Sequence, residues 1–203
     1  MEVDAHLAAL QTEGDRMTAA TRAAAPGAAV PTCPDWALRD LVRHVGGVQR
    51  WATWYVAEAR TEYAPMDLEE LAGGWPGDRE LADWFAAGHA GLVAALRSAP
   101  ADLRCWTFLP APSPRAMWAR RQAHETAIHR ADTELAAGRR AADLSPFTPA
   151  FAGDGVDELL TCFVPRRSTK LRAESPATLG VRCVDDDGAW VLSIGPDGVT
   201  TSV

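Results

Sequence analysis

Four stretches of helical periodicity, separated by loops rich in proline and glycine, restrict the first 145 residues of this 203-residue chain to a helical bundle. Residues 3–24 carry Val3, Leu7, Leu10 and Met17 at helical spacing, and Pro26-Gly27 ends the pattern. Pro31-Thr32-Cys33-Pro34-Asp35-Trp36 reads as an extended connector. A second helix is predicted over about 37–60, with Leu38, Leu41, Val42, Val45, Val48, Trp51 and Val56 as its apolar positions. Gly46-Gly47 within it costs about 1 kcal/mol per glycine relative to alanine, so something is expected to approach the backbone there. Residues 61–77 read as a loop with a helical turn at Leu68 to Leu71, and a third helix follows over about 78–98. Ser113-Pro114 suits an N-cap followed by proline in the first turn, and the fourth helix runs to about 137, stopping at Gly138.

The pattern changes after residue 145. Residues 147–155 are rich in proline and glycine, and 156–164 read as a short helix. Residues 178–184 and 189–194 alternate around Asp185-Asp186-Asp187-Gly188, a hairpin signal, and 199–203 follow the turn Gly195-Pro196-Asp197-Gly198 as a third strand. The expected organisation is a helical bundle over 1–145 and a small α+β domain over 146–203.

Composition narrows the function. A formal charge of -7 and a pI of about 5.2, with no basic block, argue against nucleic acid as a partner. No apolar run approaches the roughly 20 residues of a membrane span. Met1-Glu2-Val3-Asp4 lacks the basic start and apolar block of a signal peptide, so the expected location is the cytoplasm. Cys33, Cys105, Cys162 and Cys183 are far apart and form no C-x-x-C pair, which argues against a zinc ribbon or a thioredoxin-type motif and for reduced thiols. The expected state is monomer or homodimer.

Three residues stand out as candidate metal ligands: His44, Glu125 and His129. Glu125 and His129 are four apart in a run that nothing interrupts, so a helix presents both on one side, roughly 6 Å apart. His44 lies in the second helical pattern and becomes a third ligand if the two helices pack together. Three protein ligands leave an open coordination position, as in catalytic rather than structural zinc sites. Trp118, Gln122, Glu125, His129 and Asp132 share one stripe. A solvated face seldom carries tryptophan, and a plain core face seldom carries two ionisable groups. Asp132, one turn beyond His129, can accept from the ring N–H and fix its tautomer. By themselves the residues leave two readings open, a metal site or an ion-paired helix face. His6, His89 and His124 are read as structural, the cysteines as buried small residues, and Trp51 and Trp54 as candidate walls of a pocket beyond His44.

Val30-Pro31-Thr32-Cys33-Pro34-Asp35-Trp36, then Arg39-Asp40-Leu41-Val42-Arg43-His44-Val45-Gly46-Gly47, then residues 121–132 together resemble the mycothiol-dependent maleylpyruvate isomerase family, within the DinB-like metal-binding bundles. Asp157-Glu158-Leu159-Leu160 with Phe163-Val164-Pro165-Arg166-Arg167 resembles that family's link into a C-terminal domain. The resemblance implies a mainly α protein, a DinB-like four-helix bundle with a small α+β segment after it. It also implies zinc held by one histidine of the second helix and a Glu-x-x-x-His pair of the fourth, here His44, Glu125 and His129. Family members usually continue with further strands and a helix beyond the position of Val203, and the founding isomerase uses an arginine there whose equivalent this sequence does not reveal.

The implied chemistry is thiol activation. Zinc lowers the pKa of a bound thiol, and the thiolate of mycothiol attacks a small electrophilic substrate, giving isomerisation or S-transfer. Arg120, Arg121 and Arg166 are candidates to hold an anionic substrate. Two competitors share the same ligands: a metal-dependent hydrolase or amidase that activates water, and a non-catalytic metal-binding stress or regulatory bundle.

Overall fold

A computed structural model describes all residues, 1–203. The chain divides into two compact units, Glu2–Ser145, and Pro146–Val203 together with Met1. The protein is mainly α, with a small three-stranded sheet near its C-terminus.

The larger unit is built on four long helices: α1 (Val3–Ala23), α2 (Leu38–Ala57), α4 (Leu81–Ser98) and α5 (Pro114–Ala136), with a single turn, α3 (Leu68–Leu71), between α2 and α4. Around the bundle α1 neighbours α4 and α5, and α2 neighbours the same two, so α2 and α5 lie side by side. Local chemistry sets the helix starts. Ser113 Oγ accepts from the backbone N–H of Ala116 at 3.1 Å with Pro114 in the first turn, and Asp40 accepts from the N–H of Ala37 at 2.9 Å at the head of α2. Ahead of α2 the extended connector folds back on itself. Strands β1 (Ala29–Val30) and β2 (Cys33–Ala37) form an antiparallel hairpin pairing Ala29 with Ala37 and Val30 with Cys33.

The core has two chemistries. Met17, Val30, Leu38, Leu41, Val42, Val45, Leu81 and Phe85 form an apolar cluster between α1, α2 and α4. Trp51 and Tyr55 of α2 pack with Trp106, Phe108 and Trp118 in an aromatic cluster, where Trp118 Nε1 donates to the Trp106 carbonyl at 3.0 Å. The α2 glycines serve close approach: a Cβ on Gly46 would lie 2.2 Å from the Trp84 ring, and one on Gly47 would meet Leu68 and Trp75 at 3.0 and 3.2 Å. Helix α5 buries polar groups as well, so its apolar periodicity is weak although it is central. Gln49 Nε2 donates to Thr126 Oγ1 at 2.9 Å, and Arg130, wholly buried, binds Glu13 of α1.

The smaller unit departs from the sequence reading at its start. The helix read from residue 156 starts earlier. Helix α6 (Pro149–Asp157) begins there and continues as a wider π-turn over Glu158–Phe163. Thr148 caps it by accepting from the Phe151 N–H at 3.3 Å, and Pro149 in the first turn needs no donor, so the proline is compatible with a helix start. Strands β3 (Ala177–Arg182), β4 (Ala189–Gly195) and β5 (Gly198–Ser202) form an antiparallel meander with tight turns where the sequence places them. Leu160 packs with Trp190, Leu192 and Val199, and Trp190 Nε1 donates to Asp157 at 2.8 Å.

Candidate metal centre

Helices α2 and α5 bring His44, Glu125 and His129 to one point. The pair on α5 is local: Glu125 Oε1 lies 3.3 Å from His129 Nε2, one turn on. His44 arrives from α2, with Nε2 3.5 Å from the same Oε1. One ligand atom from each residue falls within 4.8 Å of the others. All three side chains are partly exposed, between 17% and 33%, so the site opens to solvent.

Each group is aimed by a neighbour. Asp132 Oδ2 accepts from His129 Nδ1 at 2.8 Å, leaving Nε2 as the free nitrogen of the neutral ring. The other Asp132 oxygen accepts from Thr32 Oγ1 at 2.6 Å. Arg121, one turn before Glu125, donates to Oε2 at 3.2 Å and leaves Oε1 to the histidines. The Trp36 ring lies 5.1 Å from the His44 ring, tilted by 58°.

This donor set suits a divalent ion. Zinc ligands about 2.0–2.2 Å from a tetrahedral centre stand about 3.3–3.5 Å from one another, and the two nitrogen–oxygen separations here are 3.3 and 3.5 Å. Two imidazoles and a carboxylate with no thiolate match zinc and related borderline metals. Without a metal the same contacts are charge-assisted hydrogen bonds, and they shift both titrations. Burial opposes ionisation of Glu125, but hydrogen bonds from His129 and His44 and the Arg121 charge outweigh it and hold the carboxyl far below its ordinary range. Burial also pulls His129 down, yet its bonds to Asp132 and Glu125 raise it to about 9.

An open cavity of about 460 Å³ adjoins His44. Asp35 and Trp36 of β2, Asp40 and Arg43 of α2, Leu68 and Trp75 line it with His44 itself. The spacing of α2 pointed to Trp51 and Trp54 as walls. Trp51 instead belongs to the aromatic cluster above, and the indoles lining this cavity are Trp36 and Trp75. Nothing in the periodicity signals Trp75, because it enters from a loop. Thr32 was equally hidden, since its partner is 100 residues away. Among the other histidines, His89 is buried with Nδ1 3.4 Å from Gln49 Nε2, and His6 and His124 meet edge to face at 5.9 Å. The four cysteines are free thiols.

Fold and site together define a helical bundle with an open, three-residue candidate metal centre between two adjacent helices. The chain belongs to the family described as the mycothiol maleylpyruvate isomerase N-terminal domain, whose family model matches residues 7–134, more than half of the chain. Searches of curated proteins and of solved structures returned no significant match. No helix is long and apolar enough to cross a membrane.

Proposed function

We propose that the protein is a zinc-dependent enzyme that uses mycothiol to isomerise, or to transfer sulfur to, a small electrophilic substrate. The observation that carries this reading is the convergence of two imidazole nitrogens on one oxygen of Glu125 at the separations of a tetrahedral edge. Family membership supplies the thiol. When bound at His44, Glu125 and His129, a divalent metal would supply a Lewis-acidic open position that favours the thiolate over the thiol near neutral pH.

The chain's own residues do the rest. Asp132 holds His129 through Nδ1, and Arg121 holds the second oxygen of Glu125, so neither ligand needs to reorganise. Trp36, Trp75, Asp35, Asp40 and Arg43 offer indole faces, acceptors and a donor beside His44, a mixture that suits the hydroxyl-rich part of a sugar-linked thiol. Asp35 and Asp40 there disfavour an anionic substrate in this cavity. In the isomerisation, a C–S bond forms at one carbon of a conjugated cis double bond, and the electron pair moves into the neighbouring carbonyl. Rotation about the resulting single bond follows, and the C–S bond breaks to return the thiolate and the trans alkene. In the S-transfer reaction that bond is retained, and the enolate carbon takes up a proton from water to give the neutral thioether adduct. No protein cysteine is needed as nucleophile. A chain acting on small molecules in this way fits the cytoplasm.

Turnover of candidate electrophiles by zinc-loaded protein, with and without mycothiol, tests the reading. Thiol-dependent turnover together with a near-ultraviolet sulfur charge-transfer band in cobalt-substituted protein is the expected result. Ester or amide hydrolysis without thiol, and an unchanged cobalt spectrum when mycothiol is added, would replace it with a water-activating hydrolase. Metal uptake without any turnover would leave a binding protein.

A further inference from the structure

We propose that Thr32, at the turn of the β1–β2 hairpin, is a positioning residue for the metal centre and acts through Asp132 on His129. This role rests on the metal reading above. Thr32 Oγ1 and His129 Nδ1 approach the two different oxygens of the Asp132 carboxylate, at 2.6 and 2.8 Å. An ionised carboxylate only accepts, so both neighbours donate. A carboxylate tied at one oxygen still turns about its broad terminal torsion. Tied at both, it presents a fixed acceptor to His129, and the fixed ring then aims Nε2 at the point it shares with Glu125 and His44.

The hairpin gives Thr32 a defined place from which to do this. Val30, immediately before the turn, is 1% exposed and belongs to the bundle core, and it pairs with Cys33 across the turn. The same hairpin reaches the second histidine, since Trp36 of β2 lies against the His44 ring. One short segment therefore bears on both candidate imidazoles, one by ring contact and one through Asp132. The hydroxyl that ties the hairpin to α5 comes from a residue on the molecular surface. A threonine whose only duty was to complete the turn would not need an acidic partner on another element.

The test compares Thr32→Val, which keeps shape and loses the hydroxyl, with Thr32→Ser, which keeps the hydroxyl. Two readouts are taken: the zinc dissociation constant by competition with a chromophoric chelator, and the low-field proton resonance of His129 Nδ1–H in metal-free protein. Loss of an outer partner of a metal-bound histidine costs roughly 10–100-fold in affinity, so Thr32→Val, one bond further out, is expected to weaken zinc by about five- to tenfold. Its His129 proton signal should broaden or move upfield, while Thr32→Ser stays within about twofold of the parent with the signal retained. Thr32→Ala serves as a second hydroxyl-free variant should the valine change fail to fold. Parental zinc affinity and an unchanged proton signal in the hydroxyl-free variant overturn the proposal. So does a serine variant as weak as the valine one, because packing of the methyl group would then be what matters. A parent protein that takes up no zinc defeats the metal reading instead, and the proton signal alone then decides whether Thr32 orients the Asp132–His129 pair.

Discussion

Arg130 of α5 donates from Nε to Glu13 of α1 at 2.6 Å, and Arg130 is wholly closed to solvent. Its Nη1 reaches Glu134 at 3.2 Å, so one cation serves two buried carboxylates. Without it Glu13 keeps only the half-exposed Arg16 at 2.8 Å, and Glu134 keeps Arg139 at 2.9 Å and Ser145. Arg130→Met is expected to destabilise the fold by about 1.5–3 kcal/mol in urea denaturation, less than the loss of a wholly uncompensated buried pair. Combining it with Glu13→Leu should recover a large part of that loss. Equal stability of the single variant and the parent would show that the pair contributes nothing.

Gly14 sits under His89. A Cβ at position 14 would lie 2.2 Å from the imidazole, which is itself buried against Gln49. Gly14→Ala gains helix propensity but forces this ring to move, so a net loss of about 1–3 kcal/mol is expected. A rise in thermal midpoint would mean the ring relocates at no cost.

Zinc loading should give one equivalent per chain by elemental analysis. His44→Ala and His129→Ala should each weaken binding well beyond the roughly 10–100-fold that loss of an outer partner costs. Both variants should keep the parental circular dichroism, because the apolar and aromatic clusters of the bundle do not include the ligands. Global unfolding of the metal-free protein would identify a structural site instead.

The pH dependence has a definite sign. In metal-free protein His129 titrates near 9, above the ordinary histidine value, so its stabilising contacts are complete below about 6.5 and fade as pH rises through 9. The thermal midpoint of metal-free protein should therefore fall between pH 7 and 9.5. Zinc requires the neutral ring, so its affinity should rise by about tenfold per pH unit up to about 9 and then level off, with release of about one proton per zinc at pH 7. Calorimetry in buffers of different ionisation enthalpy measures that proton, and a release near zero contradicts the assignment of His129.

Cys33→Ser should retain thiol-dependent turnover within about twofold, since the nucleophile is an external thiol and Cys33 packs at the edge of the bundle core. Loss of turnover with zinc still bound would mean that the protein supplies its own sulfur.

Local sequence determined the helices, their caps and the placement of Glu125 and His129 on one side of α5, because each depends on spacing within a few residues. Ser113-Pro114 marked the start of α5, and the Asp-Gly and Gly-Pro-Asp-Gly turns marked the meander. Thr148-Pro149 carried the same start signal for α6, but its glycines concealed it. Spacing alone could not bring His44 to Glu125, since periodicity tells which face of a helix is buried and not which helix it meets or at what rotation. Packing of α2 beside α5 decided that, together with the bond from Thr32 to Asp132, the indoles of Trp36 and Trp75 beside His44, and the ion pair of Arg130 with Glu13. Apart from Trp36, which lies near His44 in sequence, those contacts join residues tens to more than a hundred positions apart through side chains, and a side-chain contact over such a separation leaves no periodic trace in the chain that makes it.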